Sequence, residues 1–176
     1  MIVIVGASAS GKTEVAKILI KKFNYHKCIT TTTRPPRVGE VDGRDYHFLS
    51  REEFMKRVEN KAFVEVTNYQ NNFYGIQKKD IEKDAIVIVD PNGANELVSK
   101  LGNEVFLVLF ESNQEIRKSR MLSRGDRLEN VLKRLESDDE VFDKDKLLRV
   151  DAVIHNSAQS LEELALEIHQ KYSNKR

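Results

Sequence analysis

Short runs of uniformly apolar residues recur along the chain: Ile2 to Val5, Ala85 to Val89, Val105 to Phe110 and Ala152 to Ile154. A run with no polar face predicts a strand buried on both sides. Helical patterns follow these runs. From Lys12 to Phe23 the apolar residues Val15, Ile18, Leu19 and Phe23 fall on one helical stripe. Ala94 to Leu101, Gln114 to Ser123 and Leu161 to Tyr172 read the same way, the last with Leu161, Leu164, Ala165 and Ile168 on one face. Buried strands alternating with helices predict an α/β fold, a parallel sheet with helices on both faces.

Two stretches break this rhythm. Residues 31–84 are more polar and aromatic and read as an inserted lobe. Within and just before it, Cys28 to Thr33 is rich in β-branched residues and predicts an extended segment, while Pro35, Pro36, Gly39 and Gly43 predict turns. Ser50 and Glu53 have capping-box spacing, so a helix should start at Arg51 and run to about Asn60. Phe63 to Tyr69 alternates like a strand, and Asn71-Asn72 marks a turn. Residues 120–145 are strongly charged and form the second candidate insertion. The core then comprises about residues 1–30, 85–119 and 146–176 of one domain.

Composition narrows the partners. The 176 residues are 40% hydrophobic and 32% charged, enough for a real core and a well-solvated surface. Lys and Arg total 29 against 28 Asp and Glu, a formal net charge of +1, so no bulk field draws the chain to nucleic acid or an anionic membrane. Any anion must be held by local geometry. One cysteine, Cys28, excludes an internal disulfide and fits a reducing cytoplasm. The apolar opening is too short to span a bilayer, and the four histidines lack metal-ligand spacing.

The local geometry that could hold an anion follows the first strand. Gly6-Ala7-Ser8-Ala9-Ser10-Gly11-Lys12-Thr13 satisfies G-x-x-x-x-G-K-[ST] between a strand and a helix. Glycines let the backbone curl so that its N–H groups converge on a phosphate, and the helix N-terminus adds partial positive charge there. Lys12 would bridge the β- and γ-phosphates of ATP, and the Thr13 hydroxyl would ligate Mg²⁺.

Thr31-Thr32-Thr33-Arg34-Pro35-Pro36-Arg37-Val38-Gly39-Glu40 and the following Val41-Asp42-Gly43-Arg44-Asp45-Tyr46 closely resemble the guanylate kinase signature T-T-R-x-P-R-x-G-E-x-x-G-x-D-Y. Looser similarity continues through FVEVTNYQNNFYG, the arginines from Arg120 and VIHNSAQSLEEL. The resemblance implies a phosphate-loop core with a nucleoside-monophosphate lobe and a mobile lid, which suits the two insertions. It implies transfer of a phosphoryl group from ATP to GMP or dGMP with Mg²⁺, as a monomer or homodimer. Carried over, Arg34, Arg37, Tyr46 and Tyr74 hold the monophosphate, Glu65 accepts from guanine N1–H and the exocyclic amine, and Thr30 helps read the base. Arg120, Arg124 and Arg134 match the lid and hinge arginines; the first two, four apart, would share a helix face.

The sequence departs from the family at several points. Ala9 stands where a loop glycine is common. Ile76 replaces a Ser or Thr that donates to guanine O6, and the stretch from Gly75 to Asp90 is short. The family's D-x-D is reduced to Val89-Asp90-Pro91-Asn92-Gly93, which aligns two ways. Asp90 is either the base-contacting aspartate or the one near Mg²⁺-bound water, with Asn92 replacing its mate. Two other functions fit the residues: a related kinase with another phosphorylated acceptor such as a phospho-sugar, and a non-catalytic interaction domain of the same fold.

Overall fold

The computed structural model describes residues 1–69 and 71–175, with only the backbone of Tyr69. The first apolar run forms β1 (Ile2–Gly6), and the loop after it leads into α1 (Lys12–Phe23). Two short strands follow, β2 (His26–Lys27) and β3 (Thr31–Thr32), so the extended segment expected over Cys28 to Thr33 is interrupted. The interruption is where the chain leaves one sheet for another: β2 pairs in the parallel sheet and β3 in a second sheet.

The second sheet continues with β4 (His47–Phe48), α2 (Arg51–Glu59), β5 (Phe63–Tyr69) and β6 (Asn72–Gln77). Ser50 accepts from the Glu53 amide and Glu53 accepts from the Ser50 amide, the reciprocal cap expected from the spacing. Asn71 takes a left-handed conformation at φ 61°, but Asn72 already belongs to β6, a strand the sequence pattern did not disclose. The order is β4-β3-β6-β5, with β3 and β6 antiparallel, β5 and β6 antiparallel, and β3 and β4 parallel. Phe54 of α2 is fully buried and stacks on Phe63 and Phe73 at centroid distances of 4.5 and 5.6 Å, fastening the helix to this sheet.

The remainder is β7 (Ala85–Ile88), α3 (Pro91–Leu101), β8 (Phe106–Glu111), α4 (Gln114–Ser123), α5 (Leu128–Val141), β9 (Ala152–His155) and α6 (Leu161–Asn174). Helix α3 starts earlier than its apolar pattern suggests, because Asp90 caps it and Pro91 occupies its first turn. Helix α5 lies within the charged stretch that periodicity left unassigned.

Among the described residues, the parallel sheet has the order β2-β7-β1-β8-β9. Alternate residues of β1 serve its two faces. Ile2 and Ile4 join a core with α1 and α6 through Val15, Leu19, Leu164 and Ile168. Val3 and Val5 join the opposite core with Leu97 of α3, and there Val64 and Ile76 seat the second sheet against the first. A small cluster of Met121, Val131 and Leu135 joins α4 to α5 and touches Ala9 of the loop. Phe54→Ala is predicted to lower the unfolding free energy by about 3–5 kcal/mol, measured by urea denaturation.

Candidate functional site

The loop after β1 is shaped by two close approaches. A Cβ on Gly6 would overlap the Phe110 carbonyl oxygen of β8, and one on Gly11 would overlap the Asn156 side-chain amide. Gly11 also takes φ 102°, in the region that favours glycine. Between them Ala9 adopts φ 58°, a conformation costing a non-glycine residue about 1 kcal/mol. The methyl that Ala9 brings rests on the cluster between α4 and α5.

Lys12 Nζ donates to the Ala7 carbonyl at 2.6 Å and to Ser10 Oγ at 3.3 Å. Burial pulls its pKa down to about 8, with Asp138 opposing and Arg117 assisting the shift. The lysine is therefore charged at neutral pH but close to its titration. The Ser8 amide donates to Asp138 of α5 at 2.6 Å. Thr13 lies exposed in the first turn of α1 and lines a cavity with Lys12, Arg120, Arg124 and Asn156.

Arg120 reaches this loop directly. Its Nη1 donates to the Ala9 carbonyl at 3.1 Å and its Nη2 to Asn156 Oδ1 at 3.3 Å. Asn156 in turn donates from Nδ2 to the Ser10 carbonyl at 2.8 Å. Arg124 does not continue the helix face with Arg120; it is the residue that ends α4, and its guanidinium turns to Asp126 at 2.9 and 2.5 Å. The turn through Gly125 redirects the chain before a further helical turn can form. Arg134, exposed on α5, lies 3.9 Å from the same Asp126. Lys12, Arg120 and Arg124 thus give the loop cavity a cationic wall suited to a polyphosphate, while Arg134 stands outside that lining.

A second cavity, of about 210 Å³, opens between the two sheets. Thr30, Tyr46, Glu65, Tyr74, Ile76 and Asp90 line it, so it gathers residues widely spaced in sequence. The register explains the gathering. Glu65 pairs with Ile76 and Thr67 with Tyr74, placing alternate residues of two antiparallel strands on one surface. A register shift between Phe63 and Glu65 re-aims this part of β5. Glu65 is only 5% exposed, and a Cβ on Gly93 would stand 3.3 Å from its Oε1, so the α3 N-terminus packs directly against the carboxylate. Burial raises the Glu65 pKa to about 7; the Thr67 hydrogen bond and Lys100 resist that shift, while Asp90 and Glu96 add to it.

At the rim, Arg34 forms a two-pronged pair with Glu40 at 2.8 and 2.9 Å and lies over the Tyr46 ring at 5.4 Å. The Tyr74 hydroxyl neighbours Arg34, and the Tyr74 ring meets Tyr46 edge-on at 6.3 Å. Arg34, Tyr46 and Tyr74 are thereby assembled. The Arg37 side chain is exposed; its backbone amide, at 2.7 Å, fixes Glu40. Asp90 has two attachments: it accepts from the Gly93 amide at 2.8 Å as the cap of α3, and it lines the cavity. Asn92 is exposed on the helix and lies outside this lining.

Sequence reasoning did not single out Asn156, Asp138 or Thr67. Asn156 had a signal, its position just past the carboxyl end of a buried parallel strand. Asp138 had none, since its contact with Ser8 spans most of the chain.

A glycine-cornered loop at the carboxyl end of a central parallel strand, opening a helix, defines a phosphate-loop α/β fold. A family model described as guanylate kinase matches residues 1–171. The guanylate kinase of Clostridium perfringens (strain 13 / Type A) is 37% identical over 145 residues, covering 78% of this chain and 67% of the relative. That of Thermotoga maritima is 36% identical over 145 residues, covering 78% and 70%. The solved guanylate kinase of Anaplasma phagocytophilum superposes with a TM-score of 0.69 at 27% identity, over 99% of this chain and 85% of that one. A Sinorhizobium meliloti gluconokinase, at TM-score 0.55 and 14% identity, shares the fold. The chain belongs to the guanylate kinase family and is a nucleoside monophosphate kinase.

Because Lys12 loses its charge as pH rises through about 8, affinity for a nucleoside triphosphate should fall over that range. Calorimetric titration from pH 7 to 9.5 checks this, and Lys12→Met should bind weakly with no such step.

Proposed function

We propose that this chain transfers the γ-phosphoryl group of MgATP to GMP or dGMP, with the loop as donor site and the cavity between the sheets as acceptor site. The observation that carries the reading is the buried carboxylate of Glu65 on the wall of a base-sized cavity. An ionised carboxylate accepts two hydrogen bonds side by side, matching guanine N1–H and its exocyclic amine; adenine offers an acceptor at N1. Thr30 stands in the same lining as a further hydroxyl for the base. Ile76 is fully buried and offers no donor to O6, so selectivity rests mainly on Glu65.

Arg34, Tyr46 and Tyr74 at the rim suit the acceptor's phosphate, with Arg37 exposed beside them. Glu40 holds Arg34 in a fixed orientation. Residues 31–84 act as the monophosphate lobe and residues 120–145 as the lid, the latter carrying Arg120, Arg124 and Arg134. A phosphate oxygen of GMP attacks the γ-phosphorus while its bond to the β-γ bridging oxygen breaks and ADP leaves with that electron pair. Lys12 and the loop amides other than those of Ser8 and Ser10, which are engaged within the fold, neutralise charge on the donor, and the arginines neutralise what spreads over the transferred group. Attack needs no covalent enzyme intermediate, only alignment of the two substrates.

Magnesium enters with ATP. Among the described residues no cluster of three or more His, Cys, Asp or Glu side chains forms a metal cage. That suits an ion which keeps waters and phosphate oxygens and takes few protein ligands. The Thr13 hydroxyl is the donor that fits, and the ion when bound screens the phosphate charges. Among the described residues no helix is long and apolar enough to cross a membrane. Burial raises the Cys28 thiol to about 12, aided by Asp80 and Glu82, which makes it a packing group rather than a nucleophile. The buried, unreactive thiol accords with a cytoplasmic enzyme.

A coupled assay with GMP, dGMP, AMP and ribose bisphosphate tests the reading. Turnover of GMP and dGMP is expected, with AMP disfavoured by about 10⁴-fold. Glu65→Gln should lower kcat/KM for GMP by about 100-fold, since one charge-assisted acceptor becomes a donor. Turnover of the phospho-sugar with none of GMP would overturn the assignment, as would silence toward every acceptor.

A further inference from the structure

The base cavity contains one hydroxyl that the proposed reading leaves without a task. Thr67 lies two residues beyond Glu65 on β5, so both side chains share a face, and Thr67 Oγ1 donates to Glu65 Oε1 at 2.7 Å. A hydroxyl has a single proton, and this one is directed at the carboxylate. Thr67 therefore does not stand in for the donor lost at Ile76. Its effect falls on the group that reads the base.

From this geometry we infer that Thr67 is a positioning and specificity-determining residue, holding Glu65 ionised and oriented so that it accepts from guanine. The inference rests on the reading of Glu65 given above and extends it. The need for such a partner follows from the surroundings. Asp90 at the cap of α3 and Glu96 within α3 face Glu65 with like charge, and Lys100 of α3 is the cation that offsets them. Lys100 is itself shared, bonding Glu96 and the Val64 carbonyl. The remaining titratable groups on the cavity wall, Tyr46 and Tyr74, are engaged with Arg34 and with each other. Burial works in the same direction as the two acids. Thr67 thus supplies the short-range hydrogen bond that favours the charged form.

Protonation here changes specificity as well as affinity. A carboxylic acid presents one donor and one acceptor; in the pose that suits guanine its donor can meet adenine N1, while adenine's amine sits on C6, away from the carboxyl group. A carboxylate presents two acceptors, the complement of guanine N1–H and its amine. Protonation of Glu65 therefore takes an acceptor from guanine and relieves its repulsion of adenine N1, and Thr67 biases the group toward the guanine-reading state.

The experiment compares wild type, Thr67→Val, Thr67→Ser and Glu65→Gln, measuring kcat/KM for GMP and AMP from pH 5.5 to 9, with KM for ATP as a control on the fold. For Thr67→Val the acid limb of the GMP profile should move up by about one pH unit, which at pH 7 is about fivefold in kcat/KM. The change should sit in KM for GMP, with KM for ATP unchanged, and the ratio of AMP to GMP turnover should rise at low pH. Thr67→Ser should restore the wild-type profile. Superposable profiles for Thr67→Val and wild type, alongside a Glu65→Gln variant that has lost GMP, overturn the role of Thr67 and leave the base reading intact. A Glu65→Gln variant that handles GMP like wild type overturns the reading beneath it. Thr67→Ala gives the same comparison if Thr67→Val does not fold.

Discussion

The structure depends on how tightly the chain can curl where β1 ends. Gly6 lies against the Phe110 carbonyl and Gly11 against the Asn156 amide, so the loop is pinned at one corner by β8 and at the other by the residue that follows β9. A side chain at either corner would push the loop out of register with α1, whose N-terminus points at the same place. Asn156 completes the arrangement by joining the Ser10 carbonyl to Arg120, so the α4 arginine is tied to the loop through the residue that follows β9. Ala9 adds a second link, since its methyl touches the α4–α5 cluster. The backbone strain it carries is the counterpart of that contact.

The opposite wall obeys a different constraint. Burying a carboxylate is unfavourable unless something compensates, and Glu65 is compensated only in part. The second sheet accepts this cost because of how it is built. A register shift in β5, a glycine at position 93 and the pairing of Thr67 with Tyr74 all bring main chain and side chains close to the carboxylate. Val64 and Ile76 on the neighbouring positions are in the core shared by the two sheets, so the acidic group is held by the same strands that seat the lobe. The position of the carboxylate and the packing cannot be varied independently there.

Much of the core architecture was legible from periodicity. Lys12 to Phe23 and Gln114 to Ser123 appear in the structure with the bounds their apolar spacing suggests, because each buries one stripe against a sheet or a partner helix. The capping box at Ser50 and Glu53 was equally plain, being local chemistry. What escaped has a physical reason. Strand β6 alternates poorly because both its faces pack, Phe73 on α2 and Ile76 on the inter-sheet core. Arg124 could not be placed by helical spacing, since the helix stops there. In the candidate site, the loop residues followed from motif spacing, whereas Arg34, Tyr46 and Tyr74 were named only through the family resemblance, and the structure places them side by side at the cavity rim. Thr67, Asp138 and Asn156 act through contacts that only the folded chain creates, and the cap formed by Asp90 coexists with its place on the cavity wall.

On the proposed function, the loop and the inter-sheet cavity are two halves of one site, set for direct transfer between two bound nucleotides. The most direct measurement is steady-state inhibition by a molecule in which adenosine and guanosine are joined through five phosphates. The account predicts competition with both ATP and GMP, and much tighter binding than either nucleotide alone. Competition with ATP only, with GMP still binding freely, would contradict it.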